Sequence, residues 1–187
     1  MTGFRYWLAG VAALGLVAQE DSPGKIMRPS DKSSHSGGVV DVVATAPAGK
    51  LLLDGKVAEV AQPFPNVFHG ALKVPPGEHI LTLNWAGGSK EVRFFVGAGA
   101  PSEFAAFRQH PPLADIPCTQ CHQVNTRGRF VFKGGCFGCH KQDGFTKVHR
   151  HPADILEQCG TCHNAHGSSV KAHLLFTKEN ACKLCHE

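Results

Sequence analysis

The chain has 187 residues, a formal charge of +4 with histidine neutral, and eight cysteines. This length allows one or two small domains. Lysine and arginine are scattered along the chain rather than grouped, which argues against a basic patch for nucleic acid. Eight cysteines would be unusual in a reducing cytosol unless they bind a metal or cofactor.

The N-terminus predicts the compartment. Arg5 precedes a short apolar run at residues 7–18, and the run ends in small residues. This pattern is typical of a Sec signal peptide at residues 1–18, with cleavage after Ala18. The run is short for a transmembrane span, and an uncleaved N-terminal anchor is the alternative. We expect an exported protein, located in the periplasm or else at the cell surface or outside the cell.

The next two segments differ in composition. Residues 19–38 are rich in serine, glycine, proline, aspartate and lysine, which predicts a flexible linker with a solvated His35. Residues 39–97 contain short β-branched and alternating apolar runs, separated by turn signals such as Asp54-Gly55. The sequence therefore predicts a small antiparallel β-sandwich over residues 39–97.

Two segments of this β module resemble the small surface modules called PEGA domains. They are KLLLDG at residues 50–55 and VPPGEHILTL at residues 74–83. The resemblance covers about a third of the chain and implies a small β fold. His69 and His79 are expected at solvent-facing positions of this fold rather than as metal ligands.

Four copies of the pattern Cys-x-x-Cys-His lie in the C-terminal half. In this pattern two thiols bond covalently to the edge of one porphyrin, and the histidine that follows reaches the iron. A histidine would follow all four pairs by chance with a probability on the order of 10⁻⁵. The sequence thus predicts four covalently bound c-type haems. The attachment cysteines are Cys118, Cys121, Cys136, Cys139, Cys159, Cys162, Cys182 and Cys185, and the proximal iron ligands are His122, His140, His163 and His186.

Structural zinc and disulfides are two alternative interpretations of the cysteines. Pairs of Cys-x-x-Cys units at these spacings would also form two Cys₄ zinc sites. An exported chain with an even number of cysteines often has disulfides. Zinc leaves the four trailing histidines unexplained, and disulfides explain neither those histidines nor the tight pairing.

Residues 103–187 are predicted to form a tetrahaem cytochrome c domain, after a glycine- and proline-rich stretch at residues 97–102. Roughly twenty residues per haem cannot build an ordinary protein core. We therefore expect a loop-rich, mostly helical or irregular fold in which the porphyrins supply most of the buried apolar surface. Candidate helices lie at residues 102–109, 153–162 and 178–185.

This region also shows an internal duplication. His110-Pro111 lies eight residues before Cys118, and His151-Pro152 lies eight residues before Cys159. Each of these segments leads into one attachment site, and a second site follows. Two dihaem units are therefore predicted, at about residues 105–147 and 148–187.

Each iron needs a sixth ligand unless it binds substrate. Methionine is excluded because Met1 lies in the signal peptide and Met27 in the predicted linker. Ligation by two histidines is therefore expected for all four haems. The predicted second ligands are His110, His149, His151 and His166, with His173 in reserve, and which histidine serves which haem stays open.

Residues 110–187 resemble the class III multihaem cytochromes c and their doubled-CxxCH relatives. The likeness is closest in the second unit, at His151-Pro152 and at residues 159–168. The first unit departs from the pattern, because Asn125 stands where the second unit has a histidine after its first site. The resemblance implies low-potential, bis-histidine haems packed near one another in an exported protein that moves electrons.

The sequence favours an electron carrier over an enzyme, since two imidazoles on each iron leave no position for substrate. Redox proteins are the expected partners, with a membrane or surface electron-transfer complex and oligomerisation as further options. One alternative function is a multihaem reductase subunit with one open haem. Another is a haem subunit of a larger surface complex or filament, docked through the β module.

Overall fold

The structure is a computed structural model that describes residues 23–110, 116–141, 151–152, 154, 158–183 and 185–186. The predicted signal peptide at residues 1–18 lies outside these ranges. No helix within them is long and apolar enough to cross a membrane.

The described part of the chain is built mainly from short strands, with single turns of 3₁₀-helix in its C-terminal half. The strands are β1 (Lys25–Arg28), β2 (Ser33–His35), β3 (Val39–Thr45), β4 (Lys50–Leu53), β5 (Lys56–Val57), β6 (Ala61–Phe64), β7 (Val67–Lys73), β8 (Gly77–Trp85), β9 (Gly88–Val96), β10 (Ala105–Ala106), β11 (His122–Val124) and β12 (Phe130–Phe132). Helix α1 spans Lys178–Cys182, and the 3₁₀ turns are Cys118–Gln120, Cys136–Gly138, Cys159–Thr161 and Lys171–His173.

The strands form three sheets. A four-stranded antiparallel sheet has the order β1-β3-β7-β6, and a six-stranded sheet has the order β10-β2-β9-β8-β4-β5. Both β10 and β9 pair with β2 in parallel, whereas β9, β8, β4 and β5 pair in antiparallel fashion. The third sheet is the hairpin β11-β12, which carries the first predicted proximal histidine, His122.

The two larger sheets face each other across one hydrophobic core, as expected for a sandwich. Inward-facing residues alternate along the strands, because successive side chains of a strand point to opposite faces. Leu81 and Leu83 of β8 follow this period and are fully buried. The core residues are Val40, Val42, Ala44, Ala46, Leu51, Phe68, Val74, Leu81, Leu83, Val92, Phe94 and Val96.

The prediction of a flexible linker at residues 19–38 is wrong for its described part, which contributes β1 and β2. Ser33 is fully buried, and its hydroxyl donates a hydrogen bond of 2.6 Å to the carbonyl of Ser30. The His35 ring stacks on Phe107 with ring centres 5.0 Å apart, so His35 is half-buried rather than fully solvated. Pairing with β9 and β10 overrides the low strand propensity of this serine- and glycine-rich stretch, because strand preference depends on tertiary context.

The prediction of a mostly helical or irregular C-terminal domain is also wrong, since the described residues of the whole chain are 42% strand and only 12% helical. The candidate helix at residues 102–109 contains β10 instead, where the amides of Ala105 and Phe107 donate to the carbonyls of Lys32 and Ser34 in the β module. Only the start of the third candidate helix is confirmed, as the five-residue α1. Of the second, the described residues include Asp154, which is helical, and the 3₁₀ turn Cys159–Thr161.

His79 is buried rather than solvent-facing. Its Nδ1 lies 2.7 Å from Asp54 Oδ2, and its Nε2 lies 2.8 Å from the carbonyl oxygen of Pro75. Burial raises the pKa of Asp54, but hydrogen bonds from His79 and from the amide of Ile80 outweigh it, so the pKa is lowered overall. The aspartate that signalled a turn in the sequence thus also anchors a buried histidine.

Replacement of Leu81 by alanine should make the module easier to unfold, because Leu81 is fully buried between the two sheets. Large-to-small substitution at such a site costs about 2–5 kcal/mol. Ile80→Ala, at a neighbouring position of β8 that is 40% exposed, is the matched control and should cost much less. Urea denaturation of both variants measures the difference, and equal losses would contradict the described core.

Stability should also fall on acidification from about pH 6.5 to pH 4 because of His35. Burial, helped by the nearby Arg28 and opposed by Asp41, lowers the pKa of His35 to about 4. In this interval the unfolded chain takes up a proton that the folded protein does not, so stability rises with pH. In His35→Phe this slope should shrink by about 1 kcal/mol per pH unit or less. Urea denaturation at several pH values measures it, and unchanged slopes would exclude His35 as the source.

Candidate haem attachment sites

The first three Cys-x-x-Cys-His motifs begin with a 3₁₀ turn, and the fourth begins at Cys182, the last residue of α1. In each motif the amide of the second cysteine donates to the carbonyl of the first, over 3.1 to 3.3 Å. Residues three apart on a 3₁₀ turn lie above one another on one side. Both thiols of a motif are therefore directed to the same side, as attachment to one porphyrin edge requires.

The histidine of each motif is placed by the same turns. In the last three motifs its amide also donates to the carbonyl of the first cysteine, as in His163 to Cys159 over 2.9 Å. In the first motif His122 instead begins β11. His140, His163 and His186 have exposed side chains, and the eight cysteines, all within the described ranges, form no disulfide. The donor set that haem needs is thus present in every motif.

The described residues of the region that carries the motifs do not bury a hydrophobic core of their own. Among the described residues, every buried hydrophobic side chain lies at or before Phe104. Large apolar side chains next to the motifs remain 41% to 53% exposed; they are Val124, Phe132, Phe137, Leu175 and Phe176. Such surface is costly in water, and a porphyrin beside each motif would cover it. The apolar surroundings therefore fit the covalent haems that the motifs indicate.

Among the described residues, three of the four motif histidines have a second histidine ring close by. The ring centres of His140 and His110 are 5.8 Å apart, and those of His122 and His166 are 5.9 Å apart. The ring centres of His186 and His151 are 6.2 Å apart. His110, His166 and His151 are all histidines that the sequence predicts as distal ligands.

The remaining candidates are placed differently. His149 lies outside the described residues. His173, the reserve candidate, has its ring centre 5.4 Å from that of His110.

The third motif histidine, His163, points its Nδ1 at the carbonyl oxygen of Ala172, 2.8 Å away, which leaves Nε2 for a metal. Ligand histidines commonly donate their other ring nitrogen to a backbone carbonyl in this way.

The protonation of His166 suits a metal ligand. Burial, with smaller effects from His122, Arg28 and His69, lowers its pKa to about 4. The imidazole is therefore neutral at pH 7 and keeps a lone pair for coordination. The pKa of His122 is lowered by burial too. The buried Nδ1 of His110 has no hydrogen-bond partner among the described residues. Buried polar nitrogens in folded proteins usually have such a partner.

The attachment region is tied to the β module by backbone and ring contacts. Arg108 and Ser168 exchange two backbone hydrogen bonds of 2.9 and 3.0 Å. Phe64 of β6 stacks on Phe130 of β12 with ring centres 4.3 Å apart, and Phe130 stacks on His122 at 4.7 Å. No signal in the sequence predicted these long-range pairs, since the segments involved are far apart along the chain.

The zinc alternative needs four ligands around one point. Within the part of the chain that the structure describes, no group of three or more His, Cys, Asp or Glu side chains is arranged to hold a metal ion.

Comparison with known proteins identifies the class to which the C-terminal segment is similar. Residues 151–187 match a family described as the doubled CXXCH motif. This segment contains the third and fourth motifs. The match supports a multihaem c-type cytochrome with covalently bound haem, a family of electron-transfer proteins. A search of curated proteins finds no match.

Solved structures give only a distant likeness. The matches include an FMN-binding β-glucuronidase from Facaelibacterium prausnitzii L2-6, at 14% identity and a TM-score of 0.34, covering 43% of this chain and 13% of that chain. Fibronectin(III)-like modules of CbhA from Clostridium thermocellum match at 22% identity and 0.33, covering 39% of this chain and 94% of theirs. An endo-β-1,4-mannanase from Thermotoga petrophila matches at 18% identity and 0.32, covering 39% and 19%. Scores this low support no argument about fold or function.

Gly167→Ala should disturb the segment that carries His166. Gly167 has φ +111°, and an added Cβ would lie 2.6 Å from Phe107 Cζ and 2.7 Å from the Arg108 carbonyl oxygen. Backbone strain of this kind costs about 1–3 kcal/mol. Gly160→Ala, inside the third motif, is the control because nothing lies within 4 Å of its Cβ. Thermal unfolding of the two purified variants compares them, and equal midpoints would contradict this packing.

Proposed function

We propose that the protein is an exported tetrahaem c-type cytochrome that passes electrons between redox protein partners. The observation that carries the proposal is the pairing of motif histidines with second histidines, at 5.8 to 6.2 Å between ring centres. When bound, haem iron supplies a one-electron Fe(III)/Fe(II) couple. Two histidines on each iron would hold that couple without an open position for substrate. The chain would thus act as a carrier.

The cysteines and histidines have separate tasks in this function. In each motif the two thiols would hold the porphyrin covalently, and the following histidine would bind the proximal side. His110, His149, His151 and His166 are the proposed distal ligands, with His173 in reserve. The part of the chain beyond Phe104, whose described residues bury no hydrophobic side chain, would gain its buried apolar surface from the four haems.

Contact between attachment turns supports electron movement within the chain. The Cys136 thiol hydrogen-bonds with the thiol of Cys159, and its pKa is raised by burial first and then by this neighbour. A Cβ on Gly135 would lie 4.0 Å from the Cys121 sulfur. The first, second and third attachment turns are therefore neighbours in space. Porphyrins bonded to them would be close enough to exchange electrons.

Export and partners rest on the sequence. The Sec-type segment at residues 1–18 supports transfer out of the cytoplasm, with the periplasm as the first location to examine. Donor and acceptor would be redox proteins, free or in a membrane or surface complex. The β module offers a surface for such docking.

Full-length protein purified after export tests the proposal. Mass spectrometry should find four covalent haem additions, and Cys182→Ala/Cys185→Ala should reduce the number to three. Optical and EPR spectra should show low-spin iron throughout, because two imidazoles produce a strong ligand field. The reduced protein should not bind CO.

Two results would overturn the proposal. A colourless protein that contains zinc would replace the haem interpretation with structural metal sites. One CO bound per chain in the native reduced protein would favour the reductase alternative, since an iron would then have an open position.

A further inference from the structure

We propose that His110 and His140 bind one iron, His151 and His186 a second, and His122 and His166 a third. This inference rests on the proposed function, because it says which histidines share each haem. The third pair joins residues from the two predicted dihaem units, whereas each of the first two pairs stays within one unit. The assignment therefore specifies how the two units are connected.

Distance supports all three pairs. An iron held by two imidazole nitrogens at about 2 Å each, with each ring centre about 1 Å behind its nitrogen, separates the ring centres by about 6 Å. The three pairs have ring centres 5.8, 6.2 and 5.9 Å apart. Their interplanar angles are 71°, 39° and 24°. A shared iron does not fix this angle, because the two ring planes can take different orientations about the iron–nitrogen axis.

The two units repeat the same pairing. His110 and His151 occupy equivalent positions, each followed by proline and each eight residues before an attachment site. Neither pairs with the motif that it directly precedes. His110 lies by His140 and His151 lies by His186, so each pairs with the second motif of its own unit. The duplication found in the sequence is thus repeated in space.

His166 and His122 are each held by groups other than the facing ring. The amide of His166 donates to Asn164 Oδ1 over 3.0 Å, and the adjacent Gly167 packs against Phe107 and Arg108. On the other side, Phe130 stacks on His122 at 4.7 Å between ring centres. Both histidines are therefore positioned independently of each other.

The cross-unit pair has no counterpart within the first unit. Asn125 stands there at the position where the second unit has His166, each of them three residues after the histidine of its motif. An asparagine amide is a poor ligand for haem iron beside an imidazole. His166 of the second unit is therefore the distal ligand of the haem at the first motif. The first unit has Asn125 at the equivalent position, so it supplies no corresponding ligand to the third motif.

His173 is the competing neighbour of His110, at 5.4 Å. Neither of these two belongs to a Cys-x-x-Cys-His motif, so a shared iron would lack covalent attachment through either of them. His140 follows its own cysteine pair directly and is therefore the preferred partner of His110. His173 instead lies opposite the third motif, where its carbonyl accepts from the amide of Asn164 over 2.8 Å.

Removal of a distal histidine, combined with removal of an attachment site, tests the assignment in the holoprotein. His166→Ala, His110→Ala and His151→Ala should each produce one high-spin haem that binds one CO per chain. His69→Ala is the control, because His69 lies exposed on β7, and it should bind none. In Cys118→Ala/Cys121→Ala, which lacks the first site, His166→Ala should no longer create a CO-binding haem.

The other combinations discriminate further. His110→Ala should lose its effect only when Cys136 and Cys139 are replaced, and His151→Ala only when Cys182 and Cys185 are replaced. The pairing is overturned if His166→Ala still yields one CO-binding haem without the first site. If a site-deleted variant is not recovered, NMR of the wild-type protein decides. Contacts from the His166 ring should then reach the haem bonded at Cys118, and contacts to another haem would overturn the pair.

Failure of the function and failure of the pairing are separable. Absence of covalent haem by mass spectrometry overturns the proposed function, and the pairing with it. Four low-spin haems with a different partner for each histidine overturn the pairing alone.

Discussion

The structure depends on a division of the chain into a part that buries a protein core and a part that does not. The two β-sheets enclose a core, and the last buried hydrophobic side chain among the described residues is Phe104. Beyond it, the described residues form the short edge strand β10, turns, a two-stranded hairpin and one short helix, with apolar side chains left exposed. A segment of this size cannot offset its conformational entropy with so little burial. Covalent haem would supply the missing apolar contacts, and the spacing of the cysteines is the means of fixing it in place.

The β module supplies part of this stabilisation by holding the attachment region directly. β10 extends the six-stranded sheet through β2, so the chain beyond the predicted domain boundary begins as part of that sheet. Gln109 donates a hydrogen bond of 2.7 Å to Asp41 of β3, and Arg28 lies over the ring of Phe107 at 5.5 Å. Because these contacts adjoin His110, the β module helps to position this proposed ligand.

Prediction from the sequence was most successful where covalent chemistry or strict periodicity governs the outcome. The Cys-x-x-Cys-His spacing identified the motifs that fold into matching turns, and alternation in β8 predicted buried Leu81 and Leu83. Prediction was wrong where contacts between residues distant in the sequence determine whether a side chain is buried. Ser33 lies in a segment whose composition is typical of a linker, yet a parallel strand on each side of β2 buries it. His79 was expected at a solvent-facing position, but in the fold its ring contacts Asp54 and Pro75. Asp54 lies 25 residues before His79, so this partner could not be inferred from neighbouring residues.

The placement of β2 helps to explain which histidines of the attachment region lie close together. β2 lies between β9 and β10, so it fixes the start of the segment that leads to His110. The exchange of hydrogen bonds between Arg108 and Ser168 then brings the segment after the third motif beside that start. As a result His166 lies against the first motif, while His110 passes on to the second. The cross-unit arrangement therefore follows from one strand position and one backbone bridge, without any need for the two units to pack symmetrically.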